Sequence, residues 1–114
     1  MKENLAIYIY FENKITNKSL IDLITYGIEE EGIPYHFIGD DCSDYKELAT
    51  MASNESQLDV GIGLDESGNI CLHHSKLPDQ YFLFPSKHHN DQKKLRDIGI
   101  NGARLVKGIP FIVE

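Results

Sequence analysis

Cysteine is scarce in this chain, and the two that occur, Cys42 and Cys71, stand far apart. Neither belongs to a C-x-x-C motif or to the spacing of a disulfide framework, so we expect reduced, partly buried packing residues. Long apolar runs are also missing, since none approaches the ~20 residues that a membrane-spanning helix needs. We therefore expect a chain that does not cross a membrane.

Basic residues are few, because 11 lysines and arginines stand against 18 acidic side chains, which gives a net charge of -7. Such a charge repels nucleic acid and anionic membranes before any specific contact forms. We predict neither as a partner. The first residues lead straight into an apolar segment and leave no room for a secretory signal peptide, so we predict a cytoplasmic location.

A glycine-rich phosphate loop ending in lysine, which a nucleotide-hydrolysing site requires, does not occur. The run Gly61-Ile62-Gly63 lies inside a predicted strand. Close packing of that strand against a helix explains it better than a dinucleotide motif without its third glycine. No repeat, low-complexity segment or linker marks a boundary, so residues 1–114 are predicted to form one domain.

What the chain does contain is an alternation of short apolar strands and amphipathic helices. The predicted strands cover residues 5–11, 35–38, 58–64, 70–73 and 81–84. The predicted helices are one capped by Asn17 or Ser19 and ended by Gly32, one capped by Ser43, and one capped by Asn90 or Asp91 that runs through Lys107.

The order β-α-β-α-β-β-β-α predicts an α/β fold with three layers, α/β/α. A turn cluster at residues 65–69 indicates a hairpin between the third and fourth strands. Residues 77–79 are too few for a crossover helix, so the fifth strand should run antiparallel to the fourth. The result is a five-stranded mixed sheet with one antiparallel strand and helices on both faces.

The histidine pairs His73-His74 and His88-His89 do not form a recognisable zinc motif, which needs four ligands at suitable spacing. His73 and His74 should point to opposite faces of a strand. We expect a polar loop or an interface contact for His88 and His89.

Other catalytic arrangements have equally weak support. Cys71 and His73 share a strand face at i and i+2, but no orienting carboxylate follows nearby. Asp40 and Asp41 follow the second strand, where a carboxylate site of the response-regulator type would not form. We therefore predict no catalytic and no cofactor-binding residues, and a protein that is not an enzyme.

The acidic triplet Glu29, Glu30 and Glu31 is less ordinary, because it occupies the last turn of the first helix. The helix macrodipole disfavours exposed negative charge there by ~0.3–1 kcal/mol per residue. A helical projection places Glu29 opposite the core, Glu31 in line with it, and Glu30 at the boundary beside Leu23 and Tyr26. A solvated charge run is the simpler interpretation. The alternative is that a partner compensates the negative charge of the triplet. Glu30 is the glutamate placed to point at such a partner.

The last helix carries two further features. Arg104 and Lys107 in its final turn favour a capping role through the macrodipole, with a partner contact as the alternative. Gly99 and Gly102 lower its intrinsic stability by roughly 1 kcal/mol each relative to alanine. Close approach of another backbone would explain them, whether that of the sheet or of another subunit.

Two stretches carry a family resemblance: GIEEEGIP at residues 27–34 and NGARLVKGIPF at residues 101–111. With them the chain resembles the small subunit of the diol/glycerol dehydratase reactivating factors, which are two-subunit chaperones for a coenzyme B12 enzyme. The resemblance covers about residues 5–112. It includes, in the family's order, Val60-Gly61-Ile62, His73, Leu77-Pro78, Leu83-Phe84, His88-His89, Arg96 and Gly99.

This resemblance implies a fold similar to the dehydratase's own medium subunit, and a factor that releases inactivated cobalamin by subunit exchange so that adenosylcobalamin can enter. ATP or ADP and Mg²⁺ are expected in a large subunit with an actin/Hsp70-like ATPase, and none of them on this chain alone. A glutamate of the triplet should reach that Mg²⁺, and the matching position is Glu30. Glu29, Glu31, Arg104 and Lys107 are expected at the same interface.

Two other functions remain open at this stage. A medium subunit of a B12-dependent diol dehydratase would contribute to the cobalamin site, but is expected to carry an N-terminal extension. A free-standing ligand-binding domain would need convergent polar pocket residues. The resemblance also leaves open whether the client acts on glycerol or propane-1,2-diol, and whether the complex works in a bacterial microcompartment.

Overall fold

The computed structural model describes residues 5–16, 18–78, 80–87 and 91–112, and over these ranges the helices and strands follow the predicted order. The elements are β1 (Ile7–Glu12), α1 (Ser19–Glu30), β2 (Tyr35–Asp40), α2 (Tyr45–Glu55), β3 (Val60–Leu64), β4 (Asn69–His74), β5 (Leu83–Lys87) and α3 (Gln92–Lys107). None of the described helices is long and apolar enough to span a membrane.

The strands form one mixed sheet in the order β2-β1-β3-β4-β5. β1 pairs in parallel with β2 and β3, whereas β4 runs antiparallel to β3 and β5. β4 is therefore the single reversed strand, as predicted. Side chains of Ile7, Ile62 and Leu72 lie beneath α3 on one face of the sheet, and α2 covers the other, which confirms the three layers.

The glycines of β3 allow α2 to lie directly on the sheet. A Cβ atom at Gly61 would stand 2.2 Å from the backbone nitrogen of Ser53, and one at Gly63 would stand 2.1 Å from the carbonyl oxygen of Tyr45. No larger residue fits at such distances. The packing interpretation of Gly61-Ile62-Gly63 is thus confirmed.

Two of the predicted helix caps are wrong. Ser19 is the first residue of α1 and Lys18 holds the cap position without a side-chain hydrogen bond, while Asn17 lies outside the described residues. α2 is capped by Asp44 rather than Ser43, because the Asp44 carboxylate accepts hydrogen bonds from the backbone of the first helical turn.

The third helix begins as predicted. Asp91 caps α3 by accepting a hydrogen bond of 3.1 Å from the Lys94 backbone nitrogen, whereas Asn90 lies outside the described residues.

The fifth strand starts and ends later than predicted. A turn precedes it, with Gln80 at a positive φ of 67°, so the strand begins at Leu83. Phe84, at a φ of 52°, lies in a register shift opposite β4, which is the geometry of a β-bulge. Pro85 is tolerated because β5 is an edge strand, where a missing N–H costs no ladder bond.

Candidate functional site

The acidic triplet lies where α1 ends. Glu29 and Glu30 are its last residues, Glu31 holds the cap position, and Gly32 turns the chain with a φ of +75°, the glycine end that was predicted. No basic residue lies in the last turn of α1. The neutralising charge therefore has to come from another element.

Helix α3 supplies that charge. Both Nε and Nη2 of Arg96 contact Oε2 of Glu30. Nη2 of Arg104 lies 3.3 Å from Oε2 of Glu31, and Nζ of Lys107 lies 3.1 Å from its Oε1. The hydrogen bond from Lys107 and the charge of Arg104 lower the pKa of Glu31. Cations of α3 thus offset the dipole cost that the triplet incurs.

Glu29 has a different partner. Its Oε2 accepts a hydrogen bond of 2.7 Å from the hydroxyl of Tyr35, the first residue of β2. This bond, together with partial burial, raises the pKa of Tyr35. Glu29 therefore faces the β2 edge of the molecule rather than α3.

A close helix crossing brings the charges together. A Cβ atom at Gly27 would stand 2.1 Å from the carbonyl oxygen of Arg96, and one at Gly99 would stand 2.1 Å from that of Ile24. The predicted approach of another backbone is confirmed for Gly99, and that backbone belongs to α1. It is wrong for Gly102, which faces side-chain methyl groups of the sheet.

The three carboxylates differ in how many of their oxygens are already bonded within the chain. Glu31 has both oxygens bonded and its side chain is only 16% exposed. Glu30 is 39% exposed, and no residue in the described ranges donates a hydrogen bond to its Oε1. Oε1 of Glu29 is likewise without a described partner.

A groove of about 850 Å³ runs between α1 and α3 beside this charge cluster. Glu30 lines it together with Leu23 and Tyr26, the two neighbours that the helical projection gave it. Tyr26 is 53% exposed, which is high for a large aromatic residue. A partner approaching this groove would meet an apolar wall and a carboxylate with one open oxygen.

Sequence reasoning missed two of the residues that complete this surface. Arg96 entered only as part of the family pattern, and Tyr35 only as part of a strand. Arg96 lies 66 residues from Glu30 along the chain. Only the glycines at the crossing, Gly27 and Gly99, hinted that the two helices meet.

The Cys71 and His73 pair is a packing feature. Burial raises the pKa of the Cys71 thiol to about 12, so it stays protonated at neutral pH. Nδ1 of His73 lies 2.9 Å from the hydroxyl of Ser53 on α2, and its ring contacts Phe82. Nδ1 of His74 accepts a hydrogen bond from the backbone of the following turn. The free thiol of Cys42 is half-buried, so both cysteines match their predicted packing role.

The acidic pair Asp40 and Asp41 stands where β2 ends. Asp40 accepts a hydrogen bond from the Cys42 backbone, and Asp41 accepts one from Asn13. His88 and His89 lie outside the described residues. Within the described part of the chain, no three histidine, cysteine or acidic residues are grouped so that they could hold a metal ion.

A second cleft, of about 300 Å³, lies between β5 and α3. The amide of Asn101 at its base is engaged by the chain itself: its nitrogen donates to the carbonyl of Ile112 and its oxygen accepts from that residue's backbone nitrogen. The Asn101 amide is therefore not available to a ligand, and the other polar residues that line the cleft are Ser86, Lys94 and Asp97.

Comparison with known proteins identifies the family. The model of the dehydratase medium subunit family matches residues 6–112. The chain belongs to this family. It is also 42% identical, over 82% of its length and 79% of the relative's, to the propanediol dehydratase-reactivating factor small subunit of Salmonella typhimurium.

Two solved structures of dehydratase reactivating factors are similar to this chain. A glycerol dehydratase reactivase matches with a TM-score of 0.90 and 31% identity, over 96% of this chain and 98% of the other. A diol dehydratase-reactivating factor complexed with ADP and Mg²⁺ matches with a TM-score of 0.86 and 36% identity, over 97% of this chain and 100% of the other. The resemblance to the small subunits of reactivating factors is thus confirmed.

Proposed function

We propose that this chain is the small subunit of a two-subunit, ATP-dependent reactivating factor for a coenzyme B12-dependent diol or glycerol dehydratase. The observation that carries the proposal is its similarity, over most of its length, to reactivating factor small subunits. The partner is a large subunit with an actin/Hsp70-like ATPase, which holds the nucleotide and Mg²⁺. Adenosylcobalamin belongs to the client enzyme.

The chain acts through its surface and performs no chemistry of its own. Its buried thiol is protonated, and the carboxylates of Asp40 and Asp41 accept local hydrogen bonds. Because its fold is that of the dehydratase medium subunit family, it can take the place of that subunit in the client. The exchange loosens the enzyme, inactivated cobalamin leaves, and adenosylcobalamin enters.

Glu30 is the residue of this chain that reaches the Mg²⁺ of the large subunit. Mg²⁺ takes oxygen ligands and is usually held by one or two carboxylates together with phosphates and water. A single exposed carboxylate with one open oxygen fits that role, whereas the two bonded oxygens of Glu31 do not. Glu29, Glu31, Arg104 and Lys107 surround Glu30 at the same interface.

Replacing Glu30 by glutamine tests this assignment. Gln keeps the shape of the side chain and removes its charge, so the fold should survive while the complex with the large subunit weakens by ~1–3 kcal/mol, the scale of one charged contact. The loss should occur with Mg²⁺ and ADP present and disappear in EDTA. Size-exclusion chromatography and calorimetric titration measure the assembly.

Glu29→Gln is the matched control, since it removes the same charge one residue earlier, on the side that faces Tyr35, and should leave the difference in binding between Mg²⁺ and EDTA unchanged. Equal binding by Glu30→Gln and the parent chain in both buffers would contradict the metal role of Glu30. Failure of the parent chain to bind any dehydratase-reactivating large subunit would contradict the proposed function itself.

A further inference from the structure

The contact between Arg96 and Glu30 is one-sided. Two guanidinium nitrogens of Arg96 converge on Oε2, and no residue in the described ranges donates a hydrogen bond to Oε1. We propose that Arg96 is a positioning residue, which holds Oε2 so that Oε1 is presented to a divalent cation. This inference rests on the proposed function, because the cation is the Mg²⁺ at the interface with the large subunit.

The helix crossing fixes the position of the Arg96 backbone relative to α1. Its carbonyl oxygen lies against Gly27, so closely that a Cβ atom there would stand 2.1 Å away. Gly27 and Glu30 are three residues apart and therefore lie on one face of α1. The helix crossing thus places the root of Arg96 one turn from the carboxylate it binds, and the position does not depend on a flexible loop.

Holding one oxygen changes what cation binding requires. An exposed glutamate samples several rotamers, and a cation that binds it has to fix them, which costs conformational entropy. The planar fork of arginine restrains a carboxylate better than the single ammonium of lysine. Arg96 therefore removes part of that cost before the large subunit arrives, which is preorganisation in the usual sense.

The positive charge of Arg96 acts in the opposite direction, because it repels an approaching cation. If positioning dominates, removing the Arg96 side chain weakens cation binding, and if repulsion dominates, removing it strengthens cation binding. The open Oε1 favours positioning. A lysine at this site keeps the charge but loses the fork. Arg96→Lys therefore separates the geometric effect from the electrostatic one, which Arg96→Met alone does not.

The test measures the dissociation constant between the full chain and the large subunit by calorimetry, with ADP and either Mg²⁺ or EDTA at constant ionic strength. In Mg²⁺, Arg96→Met should bind about tenfold more weakly than the parent chain, the scale of one charged hydrogen bond. Arg96→Lys, which keeps the repelling charge without the fork, should also bind more weakly than the parent chain. In EDTA all three should bind alike.

Lys93→Met is the matched control. Lys93 lies one turn before Arg96, lines the same groove and pairs with Asp97 rather than Glu30. The Lys93→Met variant removes one positive charge from the groove. The Mg²⁺ dependence of its binding to the large subunit should equal that of the parent chain. Thermal unfolding of each isolated variant shows whether it folds. Should Arg96→Met not fold, Arg96→Lys carries the comparison by itself.

The outcomes distinguish a failure of the positioning role of Arg96 from a failure of the metal role of Glu30. If Glu30→Gln loses the Mg²⁺-dependent tightening and Arg96→Met keeps or exceeds it, the positioning role is overturned and Glu30 remains the ligand. If the parent complex forms equally well in Mg²⁺ and EDTA, the metal role of Glu30 and the positioning role of Arg96 both fall, while the subunit assignment stands.

Discussion

Glu31 is the most strongly paired residue of the acidic triplet. It lies at the C-terminal end of α1, where the macrodipole disfavours an anion, yet it binds Arg104 and Lys107 through separate oxygens. Glu30 and Glu29 each keep one oxygen open. Adjacent residues of one type thus have different roles: Glu31 joins α1 to the end of α3, and Glu30 remains available to a partner.

The pairing of Glu31 makes a pH-dependent contribution to stability. Its pKa in the folded chain is lowered below the ordinary value of 4.5. A carboxylate with a lowered pKa stabilises the fold fully above its unfolded pKa, and that stabilisation is lost as pH falls through the folded pKa. Glu31→Gln should therefore lower the free energy of unfolding at neutral pH, and this deficit should shrink as pH falls below 4.5.

Urea unfolding over a pH series measures the difference. The control is Glu66→Gln, since the Glu66 side chain is exposed and makes no hydrogen bond or ion pair with the described residues, so its removal should give no comparable pH-dependent deficit. A deficit of Glu31→Gln that stays constant down to strongly acid pH would show that the ion pairs contribute nothing to folding.

At the scale of elements, the crossing of α1 and α3 organises the candidate surface. Gly99 lets the backbones touch, whereas Gly102 lies over the sheet, where a Cβ atom would meet methyl groups of Leu72, Ile62 and Ile7 at 3.4, 3.5 and 3.8 Å. Those are ordinary van der Waals distances. The two glycines of one helix therefore serve different purposes.

Alanine substitutions should separate them. Gly99→Ala would place its Cβ 2.1 Å from the Ile24 carbonyl oxygen and should destabilise the chain by ~1–3 kcal/mol, the usual cost of overpacking. Gly102→Ala should be neutral or stabilise by up to ~1 kcal/mol, since alanine favours helix over glycine. Denaturant midpoints at unchanged m value measure both. The same sign for both variants would mean that the helix crossing is looser than the structure indicates.

The order of the elements along the chain and the directions of the strands could be predicted, because β-branched runs, a turn cluster and one short connection each constrain topology locally. The ends of β5 could not, since the tolerance of Pro85 depends on an edge position that only the assembled sheet defines. The candidate surface was half predictable. Glu30 was notable as an anion at the C-terminal end of a helix, where the macrodipole disfavours negative charge. Its pairing with Arg96 could not be predicted, because it depends on a helix crossing between segments 66 residues apart.

At the scale of the whole molecule, the ion pairs among the described residues all lie within α3 or between α3 and the C-terminal end of α1. The net charge of -7 disfavours polyanions, and the charged groove between α1 and α3 is open to a partner. Under the proposed mechanism this chain, a member of the dehydratase medium subunit family, competes with the medium subunit of the client for one binding place. The proposed mechanism therefore requires this chain to leave its large subunit during each reactivation.

Blocking that departure tests the mechanism. Glu29→Cys, at the proposed interface, allows a reducible disulfide tether to a cysteine on the large subunit. The native Cys71 should not compete, because burial raises the pKa of its thiol to about 12, and the half-buried Cys42 is replaced by serine in the tethered variant. The tethered factor should not restore cobalamin-inactivated dehydratase, even with ATP, Mg²⁺ and fresh adenosylcobalamin.

Reduction of the tether is the internal control and should return activity with the same protein. During reactivation by the untethered factor, affinity capture of this chain should recover a mixed complex with the dehydratase large subunit, because a displaced medium subunit leaves that place open. Full reactivation by the tethered factor, with no mixed complex captured, would rule out exchange of this subunit. The chain would then have to act on the client while still bound to its own large subunit.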